Sequence, residues 1–60
     1  MNKAEMKKEI ESYMEGKPNW DIGTMHVIKI GRDYVHTISL YEGSKAEKIE
    51  IEDFYNEYVA

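Results

Sequence analysis

The chain reads as an α+β fold: an N-terminal helix, a three-stranded antiparallel sheet (a β-meander) and a short C-terminal helix. Three observations carry that expectation. Apolar residues near the N-terminus recur at helical spacing, the middle of the chain is rich in β-branched residues between glycine-containing turns, and the last residues return to helical spacing. At 60 residues the chain is a single small domain. Such a chain buries only about 60% of the surface that its unfolded form exposes.

The first helix is predicted over residues 3–15. Asn2 can cap it, and Glu5 three residues later completes a capping-box pattern. Met6, Ile10, Tyr13 and Met14 fall on one stripe, with charged residues opposite. Gly16 is expected to take the left-handed conformation at the C-terminus, and Pro18 stops the helix. Lys17 to Gly23 then read as a turn or an extended connection. Trp20 within it is either a lid on the core or an exposed anchor.

Three strands are predicted next. The first runs from Thr24 to Ile30, the second from Tyr34 to Tyr41 and the third from Ala46 to Ile51. A short turn at Gly31-Arg32-Asp33 makes the first two a hairpin, and Glu42-Gly43-Ser44-Lys45 turns the chain again. Alternation assigns Met25 and Val27 to one face and Ile28 and Ile30 to the other. Phe54, Tyr55, Tyr58 and Val59 then return to helical spacing, with Glu52 or Asp53 suited to the helix start. So short a helix must pack on its own sheet or on another subunit.

Size and composition point to self-association. Cores of this size rarely supply more than about 3–5 kcal/mol, and small domains lean on disulfides, metals or a second subunit. Cysteine is absent, so neither a disulfide nor a thiolate metal site can form. Both faces of the predicted sheet carry apolar residues, and one helix covers only one of them. A homodimer is therefore expected, with two-fold symmetry. The chain has no run of the roughly 20 apolar residues that a membrane span needs. Its N-terminus lacks the apolar region of a secretory signal. A cytoplasmic location is expected, and no membrane partner.

Charge is unevenly spread. The formal net charge is –4, and the C-terminal segment carries it: Glu47, Glu50, Glu52, Asp53 and Glu57 stand against Lys48 alone. An acidic half repels nucleic-acid phosphates and attracts basic protein surfaces. Tyrosine supplies large contact area at low entropic cost. Glu50, Glu52, Asp53, Tyr55, Glu57 and Tyr58 are accordingly the candidate partner-binding residues, although a charge run also serves as a solvated face and the aromatics as packing of a terminal helix. Lys29, Arg32 and the hairpin offer an alternative, a nucleic-acid-associated regulator.

Catalytic and cofactor motifs are missing from the pattern. The hydroxyls of Ser12, Thr24, Thr37, Ser39 and Ser44 occupy no nucleophile elbow. Thr37 is next to His36, but strand neighbours point to opposite faces. His26 and His36 share a face with a three-residue Gly-Arg-Asp turn and take opposite faces with a two-residue Gly-Arg turn. Two histidines alone fall short of the ligand set that zinc takes. The glycines punctuate element boundaries instead of forming a phosphate loop. The expectation is a protein with no enzymatic activity, no metal and no cofactor.

Small size, absent cysteine, acidity and a compact α+β plan together resemble the small proteins that bacteriophages use against host defence, such as anti-CRISPR inhibitors and the inhibitor that opposes the Hachiman system. The resemblance spans the whole chain and transfers no individual residue. It implies a stoichiometric homodimeric inhibitor that binds a host immune protein and occludes its nucleic-acid-processing surface.

Overall fold

Helix α1 (Lys3–Glu15) forms where its stripe and cap predict it. The Asn2 side chain accepts from the Glu5 backbone N–H at 2.9 Å, and the Asn2 N–H donates to the Glu5 carboxylate at 2.9 Å. This reciprocal cap satisfies two amides that would otherwise have no partner, an effect worth about 1 kcal/mol. The structure, a computed structural model, describes residues 1–41 and 45–60. The first three residues of the turn expected at Glu42-Gly43-Ser44-Lys45 lie outside that set.

Gly16 corrects one expectation. Its φ is –85°, in the right-handed region, and the chain leaves α1 through a tight turn in which Lys17 N–H donates to Met14 O at 2.9 Å. The left-handed conformations come later, at Asn19 (φ 56°) and Trp20 (φ 58°), within the 3-10 turn Pro18–Trp20 and its edge. That double reversal brings the half-buried Trp20 ring against the core cluster. Trp20 is thus a lid on the core.

The sheet has four strands in the order β1-β2-β3-β4, all antiparallel. They are β1 (Asp21–Ile22), β2 (Met25–Ile30), β3 (Tyr34–Ser39) and β4 (Ala46–Glu50). The predicted meander of three is correct in topology and short by β1. That strand folds back on β2 through a turn at Gly23 and Thr24, where Gly23 has φ +56°, a region that glycine enters without steric cost.

The β2–β3 hairpin turns on Arg32 and Asp33, since Gly31 N–H donates to Tyr34 O at 2.8 Å. Its register shifts between Val27 and Lys29, which leaves Ile28 as a bulge. Past the bulge His26 pairs with Ile38, while His36 pairs with Lys29. The bulge also overturns the simple alternation. Ile30 joins Val27 on the core side and Ile28 stands 48% exposed.

β4 passes directly into α2 (Ile51–Phe54), which widens into a π-helical turn over Tyr55–Val59. The predicted third strand thus ends one residue early, because Ile51 starts the helix. Ile51 N–H donates to Asp33 O at 3.1 Å, anchoring this corner to the hairpin. Ile10 and Met14 of α1, Val27 and Val35 of the sheet, and Ile51 and Phe54 of α2 are fully buried in one cluster. The domain is a two-layer sandwich with both helices on one sheet face. No helix among the described residues is long and apolar enough to cross a membrane.

Candidate functional site

The C-terminal helix divides its residues by face. Phe54 is buried, and Tyr58 rests on it with ring centroids 4.8 Å apart at 45°. Tyr55, Tyr58 and Val59 are half-buried against the core. Asp53, Asn56 and Glu57, spaced at helical i, i+3 and i+4, stay exposed along one flank. That flank overlooks β4 and makes a groove lined by Ile49, Asp53, Asn56, Glu57 and Tyr58. A neighbouring depression shares Ile49 and Tyr58 and adds Met25, Thr37, Ser39 and Glu47. Together they form a trough with an apolar floor (Ile49, Tyr58, Met25) and acidic walls (Glu47, Asp53, Glu57). These three acids make no ion pair among the described residues.

Glu50 and Glu52 sit elsewhere, in a cleft with Lys3, Asp33, Tyr34 and Ile51. Lys3 Nζ lies 3.0 Å from Asp33 Oδ1 there, bridging the start of α1 to the hairpin. The hydrogen bond and charge of Lys3 hold the Asp33 carboxyl below its ordinary 3.8, and Arg32 acts in the same direction. Both partners are exposed, so the bridge contributes little to stability.

The six residues singled out from the sequence therefore part company. Asp53, Glu57 and Tyr58 meet in the trough, Glu50 and Glu52 belong to the Lys3 cleft, and Tyr55 packs against the core. Sequence reasoning missed Ile49 in the floor and Asn56 in the wall. The alternation of β4 put Ile49 on the side facing the helix, and helical spacing put Asn56 between Asp53 and Glu57. The pairing of the two elements was the missing link.

The opposite, uncovered sheet face has a different character. A cross-strand row of Lys29, His36 and Lys48 runs over three strands. Lys48 Nζ sits 4.5 Å from the centre of the Tyr34 ring. His26 Nδ1 lies 2.8 Å from Asp21 Oδ1. Ile28, at the bulge, and Leu40 and Tyr41, just past the end of β3, are large exposed apolar side chains. His26 and His36 share this face, and among the described residues no three His, Asp or Glu side chains stand close enough to hold a metal ion.

Comparison with protein-family models, with curated proteins and with solved structures finds no match.

Proposed function

We propose that this chain is a non-enzymatic, protein-binding inhibitor of the kind that bacteriophages direct at host defence. It acts by occluding a basic, nucleic-acid-processing surface of a bacterial immune protein. One observation carries the reading: the trough between β4 and the C-terminal helix combines an apolar floor with carboxylates that make no ion pair among the described residues. Acidic walls steer a basic partner toward the site, and desolvated apolar and tyrosine surface holds it there. The protein acts as a homodimer, with the exposed apolar side chains of Ile28, Leu40 and Tyr41 meeting a second copy. Sedimentation over a dilution series reads that association directly, and a constant monomer mass up to millimolar concentration would remove the dimer.

The row of Lys29, His36 and Lys48 beside Tyr34 favours a second reading, in which the uncovered sheet face contacts nucleic acid through phosphates and stacking. One experiment separates the two. Tagged protein is used to capture partners from a bacterial lysate, with and without nuclease. A protein inhibitor keeps its partner after nuclease treatment. The double variant Asp53→Lys/Glu57→Lys should then associate roughly tenfold more slowly, with a weaker response to salt. Capture that vanishes with nuclease supports the nucleic-acid reading instead.

A further inference from the structure

β4 is an edge strand, and its hydrogen-bonding pattern says which groups it leaves open. Ile51 N–H donates to Asp33 O, and Tyr34 pairs with Glu50 in the antiparallel β3–β4 register. Hydrogen-bonded and non-hydrogen-bonded pairs alternate along such a ladder. Ile49 and Glu47 therefore spend their backbone groups on β3. The N–H and C=O groups of Ala46 and Lys48 face outward, beyond the sheet, as does the N–H of Glu50, whose C=O serves α2 as its N-cap. The β2–β3 side agrees, since Tyr34 and Leu40 direct their backbone groups to β2.

The groove of Ile49, Asp53, Asn56, Glu57 and Tyr58 joins β4 to the C-terminal helix, while the neighbouring depression runs across β2 and β3. Tyr58 lines it beside Glu47 and Ile49, whereas Glu52 is next to Glu50, so the C-terminal helix runs back alongside β4. Asp53 and Glu57 lie four residues apart and line the same groove. Side chains on one face of a strand repeat about every 6.6–6.8 Å, so successive side chains on one face of a guest strand can address separate acids.

From this we infer that β4 accepts an extended strand of a partner protein that carries lysine or arginine at alternate positions. Its backbone pairs with the outward groups of Ala46 and Lys48 and with the Glu50 N–H. Its basic side chains enter the trough, with their methylenes along Ile49 and Tyr58 and their charged ends on Asp53 and Glu57. The inference rests on the protein-binding reading and names the chemistry of the partner's segment.

The test uses a fluorescein-labelled peptide, Thr-Lys-Thr-Arg-Thr-Lys-Thr, titrated with the intact protein by anisotropy. Three companions accompany it: the same peptide with backbone N-methyl groups, a version with its basic residues clustered at one end, and a version with glutamate for each basic residue. Binding of the alternating peptide, at least about tenfold weaker for the three companions, is the expected result. Lys48→Pro should weaken binding similarly, because it removes an outward N–H and leaves the β3 ladder whole; proline is tolerated at such edge positions. A thermal melt checks that the variant folds, and the N-methylated peptide asks the same question with the natural chain. Equal binding of the N-methylated or clustered peptide overturns strand addition and leaves the acidic-surface reading standing. Absence of binding by every peptide overturns strand addition, while the lysate capture still decides that reading. A wild-type dimer that Lys48→Pro converts to monomer identifies a second copy as the occupant and also overturns the proposal.

Discussion

Phe54→Ala is expected to leave most of the chain unfolded at room temperature. The Phe54 ring is fully buried, has the largest side chain in the core and supports Tyr58 from below. Truncating a buried phenylalanine costs about 3–5 kcal/mol. A domain of this size has about that much stability in total. Urea denaturation followed by circular dichroism checks it. A wild-type midpoint would mean that the two layers are held together by something other than the cluster around Phe54. The loss should also remove partner binding, because Tyr58 and the flank of Asp53 and Glu57 hang on the same helix.

Val35→Asp is expected to be at least as severe. Val35 lies in β3, between β2 and β4, with no exposed surface, and it pairs with Ile30 on one side and Ile49 on the other. Every neighbour in the core cluster is apolar or aromatic. A carboxylate introduced there finds no cation, and an uncompensated buried charge costs about 3–5 kcal/mol. Burial penalises the ionised form and raises the carboxyl's pKa in the folded state. The damage should therefore be smallest in acid and grow as pH rises through that raised value. A thermal melt with the same deficit at every pH would mean that the introduced group escapes to water, and that β3 is less enclosed than its burial indicates.

How much of this was legible in the sequence follows from how local each feature is. Helix α1 could be read to its ends, because its cap (Asn2 with Glu5) and its stripe (Ile10, Met14) are set by residues within a turn or two of each other. The last helix was legible for the same reason, apart from its start at Ile51 and its π-helical turn. The strands were legible in place and not in face. The bulge at Ile28 arises from how the Arg32-Asp33 turn and the β2–β3 ladder are reconciled, and no periodicity in β2 alone reveals it. β1 was missed because two residues cannot display an alternation. Its place depends on its pairing with His26 and Met25, set by the turn at Gly23.

The candidate site was legible in its parts. Asp53, Glu57 and Tyr58 were chosen on charge and aromatic character. Their separation from Glu50 and Glu52 is tertiary information, fixed by the corner at Ile51 and its hydrogen bond to Asp33. Tyr55 illustrates the same limit, since a phenol among acids looks available in one dimension and packs inward in three.

The two margins of the sheet are unequal. One ends in a stub of two residues next to a distorted stretch at Ile28, and the other in five regular residues. Short or bulged margins resist further pairing. On the proposed strand addition, growth should therefore be one-ended: a chain that had taken one guest would offer no equivalent seat on its far side. Stoichiometry should stop at one guest segment per copy, and the runaway stacking that threatens small sheets would be denied a second template.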